Sequence, residues 1–322
     1  MYRWVVVVLV AAVAVASSAE AKKKPKPKLP DLVITESALK SKPYLIQDEG
    51  NTISYDERTK NVGEGPANVS YTRFGLRQPA RSGPRLEIEL RRVPVLKPGH
   101  SHGSSQLSGP FTDDYLVPTG HLGRWIARAC ADATQRVREA DEHNNCKTAG
   151  DMDIIPRHLR GPVDATLPGG TDGVTERVHA SVTWVFDHVE APGTYLYGLE
   201  RADVDYTTSG TDAYGCTHSG HGATTMANLR PFLTGDNLLR ITYGSRENTY
   251  FAEAYVSNEF HYNVDVTCPD TTGLPYSGPR NQEWLVTGSG TLPLLPAHGY
   301  TELSDTYNNS VGGHYDWHFT AH

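Results

Sequence analysis

Alternation of apolar and polar residues at a period of two is the feature that most restricts how this chain can fold. In "NEFHYNVDVTC", Phe260, Tyr262, Val264 and Val266 stand opposite Glu259, His261, Asn263 and Asp265. In "HASVTWVF", Val182, Trp184 and Phe186 share a face, and in "GGHYDWHFT", Tyr315, Trp317 and Phe319 oppose His314, Asp316 and His318. A β-strand turns successive side chains to opposite faces, so such runs describe strands with one face buried and the other wet. Apolar positions at helical spacing are hard to find beyond the N-terminal leader. The 30 glycines, 21 prolines and 17 tyrosines suit many short strands joined by turns. The expected class is all-β.

The leader, "MYRWVVVVLVAAVAVASSAEA", joins Arg3 to an apolar run from Trp4 to Ala16 and a small-residue end at Ala19 to Ala21. That is the pattern of a secretory signal peptide over residues 1–21, and the apolar run is shorter than the roughly 20 residues of a membrane span. Export permits disulfides, and 4 cysteines without a CxxC pair fit an oxidised exoprotein better than a zinc site. The pairing Cys130 with Cys146 and Cys216 with Cys268 keeps each bridge within one domain as divided below. The net charge is -7, and the five lysines of "KKKPKPK" at 22–28 are part of it, so residues 29 onward carry -12. Such a basic, proline-interrupted segment cannot build a core and reads as an extended linker, with attachment to anionic envelope polymers as its functional reading. The acidic remainder makes nucleic acid a poor partner.

Short β-rich runs fill residues 29–150. In "NVSYTRFGL", Val69, Tyr71 and Arg73 alternate with Ser70, Thr72 and Phe74, and in "RWIARACAD", Trp125, Ala127 and Ala129 share one face. Residues 151–176 contain "PRHLRGPVDATLPGGTDG", whose glycines and prolines read as a joint, and strands resume over 177–322 in a second all-β domain.

The stretch "CADATQRVREADEHNNC", Cys130 to Cys146, poses the main question of chemistry. It offers oxygen ligands for Ca²⁺, yet lacks the D-x-[DN]-x-[DN]-G spacing of an EF-hand and contains Arg136 and Arg138. The favoured reading is a clasped turn. Asp132, Glu139, Glu142, Asn144 and Asn145 then serve structure, the asparagines taking positive φ and a glutamate accepting backbone N–H groups.

The succession "PDLVITE", "KNVGEGPANVSYTRFGL", "VPVLKPGHS" and "IARACADATQRVREADEHNNC" resembles the CARDB domain, the cell-adhesion-related domain of bacterial exported proteins, over roughly residues 29–149. The resemblance rests on Pro30-Asp31-Leu32, Asn61-Val62-Gly63, Leu96-Lys97-Pro98-Gly99 and the closing Val137, Glu139, Glu142, Asn144 and Asn145. It implies an immunoglobulin-like β-sandwich of seven strands, and adhesive, spacer or display roles. The second domain is expected to be another β-sandwich or jelly-roll-like domain.

Catalytic signatures are weak. There is no G-x-S-x-G, and "CTHSGHG" at 216–222 mimics zinc spacing with a cysteine better placed in a disulfide. His314, Asp316 and His318 lie on one strand face at about 6.5 to 7 Å intervals and are minor metal candidates. Tyr195, Tyr197, Tyr214 and Tyr276 fall in or near loops where aromatic rings could stack on sugars. The functional expectation is a secreted, non-catalytic binding or display protein of the bacterial cell envelope, cell-wall associated and adhesive in kind. Its partner would be an envelope polymer, a glycan or a protein, with no cofactor. The alternative is a secreted carbohydrate-active or other hydrolytic protein with its site in the C-terminal domain.

Overall fold

The computed structural model describes residues 27–79, 83–104, 111–169, 173–227, 238–243, 248–269, 276–291, 301–308, 310 and 312–322. Over 111–113, 243, 248–263, 276–291 and 307 the backbone alone is described. The leader, residues 22–26 of the lysine-proline segment, and the side chains of Phe260, Tyr262 and Tyr276 lie outside the described residues. The chain is all-β.

The first half contains β1 (Leu32–Leu39), β2 (Tyr44–Ile46), β3 (Gly50–Asn61), β4 (Ser70–Arg77), β5 (Arg85–Val93), β6 (Ser101–Gly103), β7 (Phe111–Leu116), β8 (Gly123–Cys130) and β9 (Cys146–Ile155). One sheet runs β1-β3-β6, with β7 also paired to β3; the other runs β2-β9-β8-β4-β5, with β2 parallel to β9. Inward positions follow the period of two. Ser70, Thr72, Phe74 and Leu76 are buried on β4, and Trp125, Ala127 and Ala129 on β8. Between the sheets the Tyr55 ring lies flat on Phe74, with centroids 3.6 Å apart. Trp125 buries its ring completely and donates its indole N–H to the His121 carbonyl at 2.8 Å. Arg91 reaches inward from β5 to pair with Glu57 on β3, and burial lowers its pKa to about 10.

The second half adds β10 (His158–Pro168), β11 (Val174–Ala191), β12 (Thr194–Thr211), β13 (Thr217–Ala227), β14 (Leu238–Tyr243), β15 (Asn248–Thr267), β16 (Tyr276–Thr291), β17 (Glu302–Asn308) and β18 (His314–Ala321). Where two stacked sheets or a jelly roll were expected, these strands form one antiparallel sheet. Its order is β17-β18-β10-β11-β12, then β14 and β13 end to end along β12, then β15 and β16. Its end strands β16 and β17 approach one another, so the sheet curls around its buried face. Val163, Val182, Trp184, Val204, Trp317 and Phe319 fill the inside of the curl. Three register shifts late in the β11–β12 hairpin supply the bulges that bend long strands.

The joint expected over 151–176 is not a linker. Residues 151–155 finish β9, residues 158–168 are β10, and Pro156 and Arg157 alone separate the two strands. The misleading signals were Gly161 and Pro162, which sit inside β10. A Cβ on Gly161 would come within 1.8 Å of the His318 carbonyl oxygen, so the glycine lets β18 approach closely. The halves are packed together. Tyr44 on β2 inserts between Phe186 and Tyr195, with centroids 5.9 and 5.8 Å away. Tyr195 donates its hydroxyl to Asp153 at 2.7 Å, Tyr197 donates to the Pro156 carbonyl at 2.9 Å, and Arg157 pairs with Glu49. Two of the four tyrosines expected in sugar-binding loops, Tyr195 and Tyr197, are thus core residues, and burial raises their phenol pKa values.

Candidate functional site: an arginine-lined hollow

The segment from Cys130 to Cys146 closes the first half of the chain. Cys130 and Cys146 are register partners on β8 and β9 and are disulfide-bonded; Cys216 is bonded to Cys268 in the second domain. Between the first two, Asp132 accepts the N–H groups of Arg136 and Val137 at 3.1 and 2.8 Å. Glu142 accepts the Glu139 N–H at 2.9 Å, and Asn145 donates its side-chain amide to Glu139 at 2.9 Å. Glu139 also accepts the Leu32 N–H, and Asn144 donates to Asp31 at 3.0 Å, so the loop pins the start of β1 as well as closing itself. Burial pushes the Glu139 carboxyl up to about 7, against the pull of those donors and with help from nearby Glu142 and Asp132. Positive φ falls on Asp132 and Gln135, at 37° and 52°, and not on Asn144 or Asn145. The asparagines act through their amide groups instead.

In the second half, "CTHSGHG" is divided. Cys216 is spent on its disulfide, and His218 is buried with its Nε2 3.0 Å from Asp212. His314, Asp316 and His318 do share the outer face of β18, but His318 turns away from the other two. His314 pairs with Asp316 at 2.9 Å, and His318 approaches Glu302 at 3.4 Å. Asp316 stands opposite Asp164 on β10, which is held at 2.6 Å by His179. Among the described residues no three His, Cys, Asp or Glu side chains gather to hold a metal ion. Tyr214 is 85% exposed at the turn beside Cys216.

The arrangement that sequence reading missed lies on the outer face of β4, β5 and β8. Outward positions on β4 are Arg73, Gly75 and Arg77; Arg128 of β8 stands opposite Gly75, and Arg85 of β5 opposite Arg77. Around Gly75, whose missing Cβ leaves room for the Leu86 carbonyl oxygen of β5, lies a hollow of about 310 Å³, bounded by the four arginines, Glu87 and the Cys130–Cys146 bridge. Like charges directly opposite on neighbouring strands destabilise a sheet. Several arginines elsewhere are paired, Arg58 with Glu36, Arg124 with Asp153, Arg201 with Asp203 and Arg240 with Glu190, while among the described residues Arg92, Arg138, Arg160 and Arg177 stand singly. Among the described residues none of Arg73, Arg77, Arg85 and Arg128 forms an ion pair. The Nε of Arg77 is buried without a hydrogen-bond partner, and burial together with the Arg77, Arg85 and Arg73 charges lowers the pKa of Arg128. Guanidinium groups present planar forks of donors suited to carboxylate and phosphate oxygens, so the hollow can take an anion.

Part of the chain is similar to a CARDB domain. A crystal structure of the CARDB domain of a Pyrococcus furiosus protein, in complex with di-metal ions, matches 39% of this chain and 94% of its own at 20% identity, with a TM-score of 0.27. A solution NMR structure of the same domain matches 40% of this chain and 97% of its own, also at 20% identity, with a TM-score of 0.28. No protein-family profile matches the chain, and no curated protein does. Among the described residues no helix is long and apolar enough to cross a membrane.

Proposed function

We propose that this chain is an exported, non-catalytic binding or display protein of the bacterial cell envelope that holds an anionic envelope component on the outer face of its first domain. The observation that carries the reading is the cluster of Arg73, Arg77, Arg85 and Arg128. Four cations converge there around one opening with a single carboxylate, Glu87, at its rim, in a chain of net charge -7, at a cost in sheet stability that an anionic partner would offset. Two disulfides, one closing the hollow's rim, suit a protein that works outside the reducing cytoplasm. The packed junction at Tyr44, Tyr195 and Asp153 lets the curled second domain be presented at a set angle to whatever the first domain holds.

A binding array of envelope polymers tests this, using the full secreted chain against anionic polymers and neutral glycans of matched length. Selective retention by the anionic members, weakening as salt is raised, is the expected result. Equal binding to neutral glycans would transfer the site elsewhere, and release of sugar or peptide products would favour a hydrolase.

A further inference from the structure

The charge count and layout of the hollow say more than that its partner is negative. A single carboxylate is satisfied by one guanidinium fork, whereas here four forks surround one opening. Arg73 and Arg77 flank Gly75 along β4, each about 6.5 to 7 Å from it by strand geometry, while Arg128 faces it from β8. Arg85 stands beside Arg77, its Cβ roughly 4.5 to 5.5 Å away for a directly opposed pair. Long side chains from these points reach a common centre. Glu87 is the one carboxylate at the rim, and it faces Gly75 from the β5 side. A group with charge near -2 and three terminal oxygens uses such an array most fully. At about 310 Å³ the hollow has room for that group and part of what carries it.

We propose that the hollow is a phosphate subsite, taking a phosphoryl group either free or borne on an envelope polymer, with Arg77 and Arg128 as its central contacts and Arg73 and Arg85 at its sides. This rests on the reading of the face as an anion-binding surface and narrows it to one ligand chemistry. The bridge between Cys130 and Cys146 braces β8 against β9 beside the hollow.

The test is calorimetric titration of the full secreted chain, at constant ionic strength, with inorganic phosphate, polyphosphate and acetate. Saturable binding of phosphate with acetate inert is expected, and Arg77→Gln or Arg128→Gln should weaken it about tenfold or more, the scale of a lost charge-assisted hydrogen bond. Arg160→Gln, on the second domain, should leave it unchanged. Arg85→Gln, at an exposed position, serves as a further variant should either central one fail to fold. Competition by phosphate against polyphosphate at one site separates the two sources: tighter polyphosphate binding marks a polymer, equal affinity per group a free ion. No phosphate heat up to about 10 mM, or identical affinity in the folded arginine variants, overturns the proposal. Envelope retention that survives such a result would leave the broader anion-binding function standing, whereas loss of both would remove each.

Discussion

If Arg128 is held among like charges for a ligand's sake, the unliganded protein should become more stable when that charge is removed. Arg128 lies near Arg73, Arg77 and Arg85, whose charges add to burial in lowering its pKa. Arg128 stands opposite Gly75, so Arg73 and Arg77 are its diagonal neighbours; like charges at that range, screened by solvent around a half-exposed group, cost a total on the order of 1 kcal/mol. Arg128→Gln keeps much of the apolar stem that covers the sheet, so packing should change little. The expected outcome is a rise in Tm of about 2 °C or somewhat more, the response of a cooperative unit of roughly 150 to 250 residues to such a change. Thermal unfolding at about 0.02 M and about 0.5 M salt, in phosphate-free buffer, provides the assay, and the gain should shrink at the higher salt as the Debye length contracts. A fall in Tm of similar size would refute the repulsion, and a gain independent of salt would assign it to packing.

Other consequences follow from the closing loop and the bridges. Replacing Cys130 and Cys146 by alanine should cost about 3 kcal/mol for their separation of 16 residues, and replacing Cys216 and Cys268 slightly more for 52, while the denatured, unreduced protein should show no free thiol. Glu139 is an acid whose folded pKa, about 7, lies above its unfolded value, so ionising it opposes folding. Its contribution should therefore raise stability as pH falls from about 8 towards 5, by on the order of 2 to 3 kcal/mol, and Glu139→Gln should flatten that part of the pH profile in urea titrations. Ca²⁺ should leave Tm nearly unchanged, because Asp132, Glu139 and Glu142 already accept N–H groups; a gain near 2.7 kcal/mol, the effect of an ion at 100 times its Kd, would show a bound ion instead.

Strand faces were legible because they depend on local alternation: Trp125, Ala127 and Ala129, or Tyr315, Trp317 and Phe319, are buried as their spacing implies. The disulfides could be paired by keeping each bridge within one domain, and Cys130 and Cys146 prove to be register partners on neighbouring strands. Partners distant in sequence were beyond such reasoning. Glu139 accepts from Leu32, 107 residues away, and Gly161 with Pro162 mimicked a linker because the close passage of β18 that requires the glycine has no local sign. The arginine hollow shows the same gap. "TRFGLR", "RLEIEL" and "RWIARA" each display outward arginines, but only the order β5-β4-β8 brings them around Gly75. An exposed arginine on a strand is ordinary; four converging on one opening with only Glu87 at its rim are not, and that is a property of the sheet.

The most direct test of the account is retention of the purified chain on isolated cell walls after removal of residues 22–28, so that the lysine segment cannot mask the sheet face. Retention should persist in the truncated chain, fall steeply with salt, and disappear when Arg77 and Arg128 are both changed to glutamine. Retention that is lost with residues 22–28 alone, or that is indifferent to the two arginines, would contradict it.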